Sequence, residues 1–183
     1  MSSKLIEKTL STVEVFKGKF LKVMRDDVEL PGGQKAFREY IQHPGAAMII
    51  PLFPDGRILL VRQYRHALKK IFLEFPAGKI DQGETTEQTA HRELKEETGL
   101  TSASMKWITT IHPVIGFANE KIELYLATDL TVGEQQLDHG EELELVYYQL
   151  PELLEMIRHH EVTDVKTQIG ILWLDKILSK KWE

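Results

Sequence analysis

One stretch constrains this chain more than any other: Gly78 to Leu100, GKIDQGETTEQTAHRELKEETGL. A glycine loop passes into a segment with carboxylates at Glu93, Glu96 and Glu97 and closes on Thr98-Gly99. The pattern predicts a helix that begins at Thr85 or Thr86. Thr85 followed three residues later by Gln88 fits a capping box, in which each side chain satisfies a free backbone donor. Gly99 fits the position just past a helix end, where a left-handed residue is wanted. Ala90 and Leu94 are four apart and give a narrow apolar stripe. Glu93 and Glu97 are also four apart and project together from a face read as exposed, with Glu96 flanking it. Like charges at that spacing cost a helix about 0.2–0.5 kcal/mol per pair, so something must offset them. One answer is a solvated face screened by Arg92 and Lys95. The other is a hard cation: clustered carboxylate oxygens suit Mg2+ or Mn2+, and a glycine-rich entry lets a backbone carbonyl join them.

Gly78, five residues, Glu84, seven residues, then Arg92-Glu93-Leu94-Lys95-Glu96-Glu97-Thr98-Gly99-Leu100 resembles a complete Nudix box, with no position departing from the pattern. Similarity to one branch of that family, the ADP-ribose and nucleoside diphosphate sugar pyrophosphatases, extends beyond the box. The resemblance implies an α/β fold: an α/β/α sandwich with a mixed sheet, preceded by an antiparallel strand extension. It implies residues 1–43 as a dimerising extension and 44–183 as the hydrolase domain. It also implies a metal site made of Glu93, Glu96, Glu97 and the backbone carbonyl of Ala77, with Mg2+ as cofactor and Mn2+ as a substitute.

Bulk properties set the bounds. The chain has 183 residues, enough for one domain with a full core, and a net charge of −5. It shows no basic run, which argues against a nucleic acid held by its phosphate backbone. An acidic protein that takes an anionic diphosphate needs a cation between the charges. The absence of cysteine excludes disulfides, thiolate catalysis and cysteine-bound zinc. No span reaches transmembrane length and the N-terminus lacks a continuous apolar run, so no membrane partner and a soluble, cytoplasmic protein are expected.

Along the chain, Thr12 to Tyr40 reads as a strand meander with a turn at Pro31-Gly32-Gly33. Ala46 to Phe53 reads as a buried strand, Pro54-Asp55-Gly56 as a turn, and Arg57 to Tyr64 as a core strand. Met105 to Thr110 reads as a short strand. Lys121 to Thr128 alternates as a half-buried strand, Asp129 to Gly140 is a long polar loop, and Leu143 to Tyr147 alternates again. A helix is expected from Pro151 to His160 and another from Thr163 to Lys180, the latter with Val165, Ile169, Leu172 and Trp173 as its core face.

Several further residues take roles from the resemblance. In the branch, a run like Arg62-Gln63-Tyr64-Arg65 ends on an arginine that contacts the substrate's phosphates, which implies that role for Arg65; a guanidinium fork suits phosphate oxygens. Glu74 is an acid inside an apolar run, expected either to bind substrate or to brace the loop. Arg38 and Glu120 are implied substrate contacts. Gly116, Phe117 and Glu120 match the branch, whereas Pro113-Val114-Ile115 departs from its pattern. A loop glutamate that orients or deprotonates the attacking water is implied at Glu141, with Glu142 as runner-up; Glu97 joins them as a catalytic group. Glu84 and Arg92 are expected to brace the loop–helix junction by pairing. The reaction implied is Mg2+-dependent hydrolysis of the diphosphate in a nucleoside diphosphate sugar, ADP-ribose first, by a homodimer. GDP-mannose or a broad nucleotide-sugar activity is one alternative, and a non-hydrolytic nucleotide-sugar sensor is another.

Overall fold

The structure, a computed structural model, describes residues 3–182. The chain divides into two compact units, Met1–Pro44 with Val114–Glu120 and Gly45–Pro113 with Lys121–Glu183. In the first, β1 (Lys8–Lys17), β2 (Lys22–Glu29) and β3 (Lys35–Ile41) form an antiparallel sheet in chain order, the meander that the sequence predicts. Gly33 closes the β2–β3 turn with φ +82°, where a side chain would be strained. Strand β1 is exposed along its whole length, Leu10, Val13, Val15 and Phe16 included.

The second unit holds two sheets. β4 (Ala46–Pro51), β7 (Ala77–Lys79), β8 (Leu100–Ile111) and β9 (Ile122–Val132) make a mixed sheet in the order β7-β4-β9-β8, with β4 and β9 parallel. β5 (Arg57–Arg65), β6 (Lys70–Glu74) and β10 (Leu143–Gln149) make an antiparallel sheet in the order β10-β5-β6. Three helices complete it: α1 (Thr86–Thr98), α2 (Leu150–Arg158) and α3 (Val165–Leu178).

Side-chain alternation along the central strands builds the layers. Ala47 and Ile49 of β4, with Leu59 and Val61 of β5, pack in one cluster with Ala90 and Leu94 of α1. Met48 and Ile50, with Ile58 and Leu60, pack in another with Leu153 of α2 and Ile171 and Leu174 of α3. These strands therefore read as continuous apolar runs because both faces are covered. Burying one leucine such as Leu94 stabilises by about 1.5–3 kcal/mol, enough to hold α1 despite its acidic face.

Three expectations change. β8 starts at Leu100, directly after α1, rather than as a short strand at Met105. β9 is not half-buried: Ile122 to Ala127 are all buried. Its polar side is accommodated by bonds, for Glu123 accepts from Trp107 Nε1 at 2.8 Å, Thr110 Oγ1 at 2.6 Å and Lys121 Nζ at 3.2 Å. The core face of α3 is Thr167, Gly170, Ile171 and Leu174, while Val165 and Leu172 are exposed. The helix approaches the sheet at a glycine. A Cβ on Gly170 would lie 2.8 Å from Met48 Cε and 2.9 Å from Phe75 Cε2, so the apolar pattern finds Ile169, which packs against the core, but misses the closest approach.

Candidate active site

Helix α1 carries the caps that the sequence predicts. Thr85 Oγ1 accepts from Gln88 N–H, the Gln88 side chain accepts from Thr85 N–H, and Gly99 ends the helix at φ +72°. The face bearing Glu93 and Glu97 turns inward, contrary to the exposed face expected. Glu97 is only 4 % exposed. Its Oε2 accepts from the backbone N–H of Ala77 at 3.2 Å. Glu93 lies so close to the β7 backbone that a Cβ on Gly78 would be 1.8 Å from its Oε1. The glycine that opens the box is thus required by space, where the Glu93 carboxylate takes the place of a side chain.

The electrostatics around these acids are unbalanced. Burial pushes the Glu97 carboxyl well above its usual range, and Glu93 and Glu141 push it further. Burial also raises Glu93; Arg92 pulls it back, while Glu96 and Glu141 add to the rise. Glu141, in the loop before β10, acts on both of these carboxyls. Gln63 Nε2 of β5 donates to Glu141 Oε1 at 3.3 Å. Glu142, next to it, is exposed.

Arg92 braces the junction as expected. Its Nε and Nη2 donate to the two oxygens of Glu84 at 2.9 and 3.0 Å, and Nη1 donates to Glu93 at 2.7 Å and Glu96 at 2.9 Å. The guanidinium holds the Glu84 carboxyl down to about 2. Glu96 is thus tied to Arg92 and stands on the flank of the acid cluster.

A second group stands at the other end of the segment that leads into the box. Arg65 Nε and Nη2 donate to the two oxygens of Glu74, both at 2.7 Å. Lys166 Nζ donates to Glu74 Oε2 and, at 2.9 Å, to Asp164 Oδ2. Burial would raise the Glu74 carboxyl, but the Arg65 and Lys166 bonds prevail and it is lowered. Lys166 is a residue that the sequence reading missed. Its one signal is indirect: a buried acid at Glu74 demands a counter-charge, which arrives from 92 residues further along the chain. Arg38 and Glu120 belong to the N-terminal unit and are held within it. Arg38 pairs with Glu7, and Glu120 lies 3.7 Å from His43 Nε2.

Among the described residues, no three acidic or imidazole side chains converge at ligating distances. The donor set is nonetheless suited to a hard cation. It is all oxygen, it is partly desolvated, and its carboxylates repel one another. Of the expected ligand set, Glu97 meets Ala77 through its backbone N–H, Glu93 lies against Gly78, and Glu96 is bonded to Arg92.

Residues 42–166 match the family model of the NUDIX domain, and residues 7–41 match the nucleoside diphosphate sugar hydrolase N-terminal domain. The chain is 41% identical over 170 residues to the methanol dehydrogenase activator of Bacillus methanolicus, covering 92% of each chain. It is 39% identical over 172 residues to the ADP-ribose pyrophosphatase of Bacillus subtilis (strain 168), covering 93% of each. The crystal structure of an ADP compounds hydrolase shares the fold, with a TM-score of 0.88 at 22% identity over 99% of this chain and 98% of that one. With the box intact on α1 and the domain match spanning most of its length, the chain belongs to the Nudix hydrolase family.

Proposed function

We propose that this chain hydrolyses the diphosphate of nucleoside diphosphate sugars, ADP-ribose foremost, with Mg2+ or Mn2+ as cofactor, giving a nucleoside monophosphate and a sugar phosphate. The observation that carries this reading is the buried Glu97 carboxylate on Ala77 N–H, on one helix face with Glu93, together with an arginine fork fixed at Arg65 by Glu74. The likeness to an ADP-ribose pyrophosphatase over nearly the full chain supports the substrate class.

A bound divalent cation would neutralise the diphosphate and stabilise charge developing on phosphorus. The chain's own residues do the rest. Glu93 and Glu97 would hold the cation, with Glu96 and the Ala77 carbonyl in support. Arg65, fixed through Nε and Nη2, offers its remaining edge to phosphate oxygens. Glu141, oriented by Gln63, takes a proton from the attacking water as that water's oxygen joins phosphorus. The bond from that phosphorus to the bridging oxygen breaks, and the two monophosphates leave.

The N-terminal strand extension, residues 1–43, is assigned to pairing two copies of the chain. Its strand β1 exposes Leu10, Val13, Val15 and Phe16, and Asp26 Oδ1 is buried without a hydrogen-bond partner among the described residues. A chain beginning at Pro44 is expected to run as a monomer on light scattering; an unchanged oligomer would sink this assignment.

The reaction is tested by phosphate-coupled turnover with Mg2+ on ADP-ribose, GDP-mannose, ADP-glucose, UDP-glucose and a nucleoside triphosphate. Preference for ADP-ribose is expected. Equal rates on several diphosphate sugars would make the enzyme a broad nucleotide-sugar hydrolase, and binding without turnover would make it a sensor.

A further inference from the structure

We infer that Lys166 is a positioning residue for phosphate binding, acting through Glu74 on Arg65. The inference rests on the assignment of Arg65 to the substrate's phosphates. A guanidinium presents a chosen edge to an anion only if the carboxylate that orients it is itself held in place. Here that carboxylate is gripped from a second side. Glu74 Oε2 takes both Arg65 Nη2 and Lys166 Nζ. Asp164 answers the charge of Lys166, so what the lysine contributes is a fixed Glu74, and with it the plane in which Arg65 meets a ligand.

Burial separates the two cations by role. The Lys166 side chain is 12% exposed and spends its donors on Glu74 and Asp164, whereas that of Arg65 is 45% exposed. Both line a cavity of about 200 Å3 with Leu68, Phe72, Glu74 and Asp164, but only Arg65 has much surface to offer a ligand. The lysine is itself held in place. Asp164 caps α3, accepting from Thr167 N–H at 3.0 Å and Thr167 Oγ1 at 2.7 Å, and Thr167 Oγ1 accepts from Phe75 N–H at 3.0 Å. The first turn of α3 thereby clamps the backbone next to Glu74 and brings Lys166 onto its carboxylate. Three residues past Glu74, Ala77 N–H meets Glu97, so the arginine fork and the acid cluster hang on one short segment.

The test is steady-state kinetics on the preferred diphosphate sugar with Mg2+, for Lys166→Met, Lys166→Arg, the double variant Glu74→Gln/Lys166→Met, and Arg65→Lys. Thermal unfolding is measured in parallel. Lys166→Met is expected to raise KM about tenfold with kcat within about twofold, the size of one weakened charge-assisted contact. Lys166→Arg is expected to restore most of it. The double variant removes Glu74 together with the lysine that its loss would strand, and is expected to keep the KM defect because Arg65 has lost its charged anchor. An unchanged KM in Lys166→Met and the double variant, with KM raised in Arg65→Lys, overturns the role of Lys166 and leaves the assignment of Arg65 standing. An unchanged KM in Arg65→Lys removes that assignment and this inference with it.

Discussion

Glu74 and Glu97 are both buried, at 2 % and 4 % exposed, the one at the start of the segment 74–77 and the other bonded to its end, yet their carboxyls shift in opposite directions. Glu74 has two cations on its oxygens and is held below the usual range. Glu97 has one backbone N–H and two acids facing it, and is pushed well above that range. Burial alone therefore does not decide what a buried acid is for. A balanced acid suits a part in the frame, and an acid left unbalanced is a candidate for the charge that the proposed cation would bring. The difference is a property of the partners, which can be removed one at a time.

The largest expected effect comes from removing the unbalanced charge. Glu97→Gln keeps the volume but takes away the charge proposed to hold the cation. Turnover is expected to fall by about a thousandfold, with melting temperature unchanged or raised because a repelled buried acid has been neutralised. The opposite pattern is expected at Glu74→Gln, where two cations lose their partner and stability falls. Full activity in Glu97→Gln would break the contrast outright, since the two acids would then both be structural.

A smaller effect sharpens which acids belong to the unbalanced group. Glu141→Gln is expected to lower turnover by about a hundredfold, in keeping with loss of a general base, and Glu142→Gln by little. Glu141 raises the carboxyls of both Glu93 and Glu97 and is oriented by Gln63, whereas Glu142 is exposed. The reverse ranking in a turnover assay would move the base by one residue.

How far the sequence carried these readings depends on the range of the interaction. Local chemistry was legible: Thr85, Gln88 and Gly99 fix both ends of α1, and the Arg92–Glu84 brace lies within eight residues. Two-sided burial was legible in β4 and β5, whose apolar runs leave no polar face. What failed was long-range. The inward turn of Glu97 depends on where β7 passes, and the core face of α3 depends on Gly170 meeting Met48 and Phe75. Lys166 reads as an ordinary helix lysine until the fold brings it to Glu74. In β9, Glu123 mimics an exposed position because its three partners come from β8 and from the residue two before it.

The smallest expected effect tests the two acids against pH without any substrate. The folded carboxyl of Glu97 binds its proton more tightly than in the unfolded chain, where the value is near 4.5. Its contribution to stability is present below 4.5 and is lost as pH rises through the window between 4.5 and the raised value. Glu74 behaves oppositely. Its folded value lies below 4.5, so its contribution is present above 4.5 and is lost as pH falls through the lowered value. In metal-free buffer, the stability of the native chain relative to Glu97→Gln should decline with rising pH in the first window, by at most about 1.4 kcal/mol per pH unit. Relative to Glu74→Gln it should decline with falling pH in the second. Mg2+ should flatten the first dependence, by giving the ionised Glu97 the counter-charge that the protein withholds, and leave the second alone. Denaturant unfolding across pH 3 to 8, with and without Mg2+, reads all of this directly; a Mg2+ effect on the Glu74 limb, or none on the Glu97 limb, would show that the unbalanced charge is not the one that the cation answers.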